Sequence, residues 1–252
     1  MAHDPVTIVG NHISPFVRKV LATCEMKGIP YRMDSIVPFY GSDRFTALSP
    51  MRRIPVLIEG DVIVHDSTVI CEYLEETRPQ PALLPQKPAR RARARFIDEI
   101  ADTHIAEVLL WKVFGRALVA PAVFKAPRDL AAIDATMRDE YPPLMDLLES
   151  WVPAEGFLLD AKPGLADVSV ASHFVNFRWA RQSVDAARWP RTAAWLERVE
   201  TGTPLGALNE IGAKILRCPP TEHAALLRSL GVAVTDTTVG GSEPRRGPMT
   251  VV

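Results

Sequence analysis

The period of apolar and polar positions changes once along the chain. Up to about Glu76, short β-branched runs alternate with helical stripes; from about Ala89 onward every strong pattern is helical. Val6 to Val9 predicts a strand, and Ser14-Pro15 opens a helix with serine at the N-cap and proline in the first turn. Val17, Val20, Leu21 and Cys24 recur at helical spacing and give that helix one buried stripe; Gly28 stops it, with Pro30 just beyond. Tyr31 to Val37 predicts a second strand, parallel to the first as in most β-α-β units. Asp43 to Leu48 predicts a short helix. Arg53 to Ile58, a turn at Glu59-Gly60-Asp61, and Val62 to Val64 predict an antiparallel pair. Asp66-Ser67 then caps a helix whose apolar face is Val69, Ile70, Tyr73 and Leu74.

The first module is therefore β-α-β-α-β-β-α, expected over residues 4–80. Four prolines between Arg78 and Pro88 predict a linker at 81–88. A helical-bundle domain is expected over 89–218, with helices at about 89–114, 128–151, 165–181 and 190–200, the second kinked or split at Pro142-Pro143. Residues 219–252 form an extension with a short helix at about 221–230. Beyond Thr235 its Gly, Pro, Ser and Thr content predicts a partly disordered tail.

Composition narrows the functional classes. Of 252 residues, 47% are hydrophobic and 23% charged, enough apolar material for a proper core without disulfides or metal. The net charge of −1 leaves no electrostatic footprint for nucleic acid. Cys24, Cys71 and Cys218 are few and widely spaced, which suits a reducing compartment. No apolar stretch of signal length precedes the first strand, and no run approaches the ~18 apolar residues of a membrane span. The expected address is the cytoplasm, with neither membrane nor nucleic acid as partner.

Three short motifs carry candidate chemistry. Ser14, taken alone, is an N-cap, but a helix N-terminus also favours an anion. Pro55 lacks an N–H at the start of a strand; a cis bond after Ile54 would turn the chain so that the Ile54 backbone faces an extended ligand. Asp66-Ser67 is either a cap or an amino-acid site, in which Ser67 and the helix N–H groups take a carboxylate and Asp66 an ammonium. A ligand with a thiol at one end and an amino-acid head at the other fits all three.

The segments Ser14-Pro15-Phe16-Val17-Arg18-Lys19-Val20, Arg53-Ile54-Pro55-Val56-Leu57, and Asp66-Ser67 with Ile70 to Leu74 together resemble the cytosolic glutathione transferase family. The resemblance covers Val6 to about Glu200. It implies a thioredoxin-like domain followed by an all-helical domain, a homodimer, and glutathione as co-substrate. Ser14 matches the serine whose hydroxyl bonds the glutathione sulfur in serine-type classes. Ile54 matches the residue whose main chain pairs with the cysteinyl group, and Pro55 the cis proline. Asp66 and Ser67 match the γ-glutamyl site, and Arg53 the position near the glycyl carboxylate. Gly164-Leu165-Ala166-Asp167 resembles the family's helix cap, with glycine where serine or threonine is usual.

The activity implied is conjugation of the glutathione thiolate to a hydrophobic electrophile in an apolar cleft between the domains. Its rivals are a non-catalytic glutathione-binding or interaction protein, and glutathione-dependent isomerisation, dehalogenation or peroxide reduction. Ile13, Phe39, Trp111 and Phe114 are candidates to wall the electrophile pocket, with core packing the competing role for the last two. His12 either lines the site or is a solvated loop residue. None of the six histidines shows paired metal-ligand spacing, so no metal is expected. Arg90, Arg91, Arg93 and Arg95 predict a solvated helix face or a dimer rim.

Overall fold

The computed structural model describes residues 4–248. The chain divides into two compact units, one built from the chain up to Pro81 and from Gly206 onward, the other from Ala82–Leu205. In the first, β1 (Val6–Gly10), α1 (Pro15–Met26), β2 (Tyr31–Ser35), α2 (Asp43–Leu48), β3 (Val56–Glu59), β4 (Val62–His65) and α3 (Ser67–Thr77) follow the expected order. The sheet runs β2-β1-β3-β4, with β2 parallel to β1 and the β1–β3 and β3–β4 pairs antiparallel.

Helix α1 is buried well beyond its apolar stripe. Val17, Val20, Leu21 and Cys24 are inside as expected, but so are Arg18 and Lys19. The Arg18 guanidinium donates to the His12 carbonyl at 2.6 Å and the Ile13 carbonyl at 2.9 Å, and Lys19 Nζ donates to Thr68 Oγ1 at 2.9 Å. These cations thus tie α1 to the loop before it and to the first turn of α3. Helix α3 departs from the expected face. Ile70 and Leu74 are buried, but Cys71 goes inside with them while Val69 is 53% exposed. A helix rotated slightly from the hydropathy maximum lets the small Cys71 approach Thr23, 3.4 Å away.

The helical unit begins at α4 (Pro88–Ile100), which continues without a break through Ala101–Val119 in wider i→i+5 turns to α5 (Ala120–Phe124). A π-type stretch of this length is unusual. The break expected at Pro142-Pro143 takes the form of a clean split between α6 (Leu130–Asp139) and α7 (Tyr141–Trp151), because two prolines fit the first turn of a helix. Helices α8 (Leu165–Trp179) and α9 (Pro190–Gly202) complete the unit. Tyr141 stacks on Phe177 at 4.9 Å and meets Trp189 edge-on at 5.4 Å inside a core that also holds Leu109, Val113, Met145, Phe174 and Trp195. Asp167 organises the start of α8. Its carboxylate accepts from Leu158 N at 2.8 Å, Gly164 N at 3.0 Å and Trp195 Nε1 at 2.9 Å.

Two expectations are corrected. Leu205–Ile215 forms a helix, α10, that the periodicity does not predict; from Gly206 on the chain belongs with the sheet unit rather than the helical one. After α11 (His223–Ser229), the composition of the tail predicts partial disorder, yet residues 233–245 are hydrogen-bonded along β2 and the segment that follows it. Low hydrophobicity reports how little apolar surface a segment can bury, not whether a sheet edge pairs with its backbone. The last expected tail residues, 249–252, lie outside the described residues.

His12 is corrected as well. It is 0% exposed, and its ring nitrogens have no hydrogen-bond partner among the described residues. Burial, Arg18 and His223 together hold its pKa down at about 3. The unfolded chain therefore takes up this proton first as pH falls through 6.5, so folding loses stability from there down to about pH 3. Between pH 7.5 and pH 5, the stability lost by His12→Gln should be smaller than that lost by the wild type by up to about 2 kcal/mol. Urea unfolding at the two pH values measures this, and equal losses would refute it. In the helical unit, Asp167→Ala leaves one buried and two half-buried donors unpaired and should cost about 3 kcal/mol in the same measurement at neutral pH. A cost under about 1 kcal/mol would show that water replaces the carboxylate.

Candidate functional site

Strand register brings the three motifs together. Val9 lies opposite Val56, and Val56 opposite His65, so the end of β1, the start of β3 and the end of β4 share one edge of the sheet. Ser14 follows β1 through a short loop, Ile54-Pro55 immediately precedes β3, and Asp66-Ser67 immediately follows β4. The closeness is steric too. A Cβ at Gly10, whose φ is +149°, would lie 3.4 Å from Ile54 Cβ and 2.6 Å from Val17 Cγ2. Glycine is what lets the β1 end pass against Val17 of α1, with Ile54 at van der Waals distance on the β3 side.

Ser14 is the N-cap of α1, its Oγ accepting from Val17 N at 3.4 Å. That bond is long, and the hydroxyl hydrogen and a second lone pair remain as hydrogen-bonding capacity. The loop carrying it is held by Asn11, a residue the motif search did not single out. Asn11 Nδ2 donates to Ile36 O at 2.5 Å, its Oδ1 accepts from Ile13 N at 2.9 Å, and its carbonyl accepts from Ser14 N at 3.2 Å. The Oδ1–Ile13 bond is an Asx turn, so an Asn between a strand and a Ser-Pro helix start is the signal that would have found it. Arg18 left no such signal, because hydropathy alone places an arginine outside.

The Ile54-Pro55 peptide bond is cis. Arg53 is exposed beside it, while Pro55 is buried and Ile54 half-buried. Arg52, just before, has a φ of +52° and donates to Thr46 Oγ1 at 2.6 Å, Gly41 O at 2.9 Å and Pro38 O at 3.2 Å, fastening the connection between β2 and β3. Asp66, at φ +74°, is the N-cap of α3, its Oδ1 accepting from Thr68 N at 2.9 Å and Val69 N at 3.3 Å. A carboxylate has about four lone-pair sites, so capping does not preclude a further cation. Ser67 is buried at the first position of the helix.

The pocket candidates separate. Ile13 and Phe39 are half-buried in the sheet unit, while His12 is fully enclosed. Phe114 is 2% exposed and packs against Trp179 at 6.4 Å, a core position in the helical unit; Trp111 of that unit is half-buried. The arginine run is not simply solvated. Arg93 lies over the Trp151 ring at 4.6 Å and the Phe96 ring at 5.1 Å, and Arg91 Nε donates to Pro85 O at 2.9 Å. Among the described residues, no group of three or more His, Cys, Asp or Glu side chains is placed to hold a metal ion, and no helix is long and apolar enough to cross a membrane.

Comparison with known proteins gives the family. Residues 9–82 match the family model described as "Glutathione S-transferase, N-terminal domain". The Escherichia coli (strain K12) protein described as "Uncharacterized GST-like protein YibF" is 30% identical over 175 residues, 68% of this chain and 82% of that protein. Glutathione S-transferase U3 of Arabidopsis thaliana is 26% identical over 206 residues, 78% of this chain and 85% of its own. The apo form of human glutathione-S-transferase T1-1 superposes with a TM-score of 0.75 at 21% identity, covering 89% of this chain and 97% of that one, a likeness of fold. The chain therefore belongs to the glutathione S-transferase family, whose co-substrate is glutathione.

Proposed function

We propose that the sheet edge formed by the loop before α1, the entrance to β3 and the start of α3 binds glutathione, and that Ser14 holds its sulfur as a thiolate for attack on a hydrophobic electrophile. The supporting observation is the register that places Ser14, Ile54 and Ser67 at the ends of three consecutive sheet neighbours. In this reading the Ile54 main chain pairs with the cysteinyl residue, and Ser67 with the first turn of α3 takes the γ-glutamyl carboxylate. Asp66 takes the γ-glutamyl ammonium, and exposed Arg53 the glycyl carboxylate. Ile13 and Phe39 offer apolar surface to the electrophile. Residues 4–80 are then the glutathione-binding domain.

The energetics are sufficient without a metal or a general base. A free thiol titrates near 8.5, and lowering that by about two units takes roughly 2.7 kcal/mol. A hydrogen bond to a charged acceptor supplies about 1.5–3 kcal/mol, and a helix N-terminus roughly 0.3–1 kcal/mol. The thiol proton leaves to solvent. The sulfur lone pair forms the new S–C bond, while the electrophile's leaving group departs with its electron pair or its conjugated system accepts that pair. Positioning and nucleophile activation carry the rate.

A second copy of the chain is the expected partner, in the cytoplasm. Val62, Ile63 and Val69 on the sheet unit and Phe96 on α4 are exposed apolar side chains of the kind an interface covers. For the chemistry, Ser14→Ala should raise the apparent pKa of bound glutathione by about one to two units, with about a 10–100-fold loss of conjugation at neutral pH. Glutathione affinity should change little. Thiolate absorbance against pH and turnover of a model electrophile read these out. Wild-type absorbance and turnover in the variant would remove Ser14 from the mechanism.

A further inference from the structure

The last part of the chain makes contacts that the glutathione-binding reading does not use. Strand β2 is at the edge of the sheet, where unpaired backbone groups invite another strand. The chain's own C-terminal segment fills that edge. Met33 N donates to Ala233 O at 2.8 Å, and Thr235 N donates to Met33 O at 3.0 Å, a parallel bridge centred on Val234. Next, Asp34 receives Thr238 Oγ1 at 2.6 Å and Val239 N at 2.8 Å, one on each carboxylate oxygen. The carbonyl of Val239 accepts both Ser42 N at 2.9 Å and Ser42 Oγ at 2.8 Å. Gly240 pairs with Gly41 in an antiparallel bridge, and Arg245 closes the run. Its amide donates to Phe39 O at 2.7 Å, and its guanidinium meets the Asp43 carboxylate at 2.5 Å.

The fit is that of a built groove. Asp34 is 5% exposed, and burial raises its pKa while the bonds from Thr238 and Val239 favour the charged form. The Val239 side chain packs on a small core of Val9, Ile36, Phe45 and Val56. At Gly241 a Cβ would sit 3.1 Å from Tyr40 O and 3.3 Å from Ser42 N, so the strap lies against the backbone there. What it grips is one continuous stretch, from Met33 to Asp43. Ile36, in the middle, is the residue whose carbonyl holds Asn11 Nδ2, and Asn11 in turn holds Ile13 N and Ser14 N.

We propose that residues 233–245 form a strap that positions the glutathione site: by fixing the segment from Met33 to Asp43, they set the Ser14 loop through Ile36 and Asn11, and Phe39 directly. Val239, Thr238 and Arg245 are thus positioning residues, acting through the segment they hold. The inference rests on the glutathione-binding reading for its consequence in activity, while the mechanical link from strap to loop stands on the contacts alone. A segment about 200 residues away in sequence thereby governs the geometry of the nucleophile's cap.

The test compares the full chain with one ended after Val232 and with Val239→Pro, which deletes the amide that Asp34 holds and keeps the chain length. Amide hydrogen exchange is followed at Ser42, Ile36 and Ile13, with and without a synthetic peptide of residues 233–248 added to the truncated chain. Glutathione KM and the pKa of the bound thiol are measured on the same proteins. The proposal expects faster exchange at all three amides in both variants and a KM for glutathione raised about tenfold. It also expects a raised thiol pKa, and recovery of each property with the peptide. Unchanged exchange overturns it, and so does faster exchange at Ser42 with Ile13 unaffected, since the link through Ile36 and Asn11 would then be absent. If the full chain itself fails to bind glutathione, the functional reading fails, and the exchange pattern still decides the strap. Should the truncated chain not fold, Val239→Pro decides it alone.

Discussion

Everything assigned to the candidate site depends on one constraint, the antiparallel pairing of β3 with both β1 and β4. With Val9 opposite Val56 and Val56 opposite His65, the end of β1, the start of β3 and the end of β4 lie on the same edge of a four-stranded sheet. A slip of one residue would turn every side chain of β3 to the other face. Val56 and Leu57 are both fully buried, so each face of the sheet has a packing reason to keep this register. Two helices then begin at that edge, and their N-termini supply the N–H groups and partial positive charge that an anionic ligand needs.

Around this edge the polar contacts are structural as well as chemical. Asn11 and Arg18 hold the loop before α1, Lys19 reaches from α1 to the first turn of α3, and Arg52 gathers three acceptors from the β2–β3 connection. The two arginines suit this task, because each satisfies two backbone carbonyls in places without regular secondary structure. A loop fixed in this way costs little further ordering when a ligand arrives, the condition for a small hydroxyl such as that of Ser14 to act with geometric precision.

The sequence made the site more legible than the supports behind it. Ser14-Pro15, Ile54-Pro55 and Asp66-Ser67 announce themselves because helix starts and proline placement obey local rules, and their neighbours Val6–Val9 and Val56–Ile58 carry clear strand patterns. Arg18 and Lys19 were illegible, since their burial follows from acceptors that only the folded loop provides. Hydropathy ranks valine above cysteine, yet Cys71 is inside and Val69 outside, because the buried face of α3 runs through Ser67, Ile70, Cys71 and Leu74. The tail was the largest departure. Thr235, Thr238, Gly240 and Gly241 read as disorder by composition, and their order comes from contacts with β2 and the segment after it that no local pattern can signal. His12, two residues from Ser14, sits enclosed, with neutral nitrogens at physiological pH.

The most direct test of the central claim is a crystal structure of the intact chain with glutathione bound. The account predicts the sulfur within hydrogen-bond reach of Ser14 Oγ, the cysteinyl backbone paired with Ile54, and the γ-glutamyl carboxylate at Ser67 and the first turn of α3. Glutathione seated away from this sheet edge, or seated there with its sulfur turned from Ser14 toward another group, would contradict it.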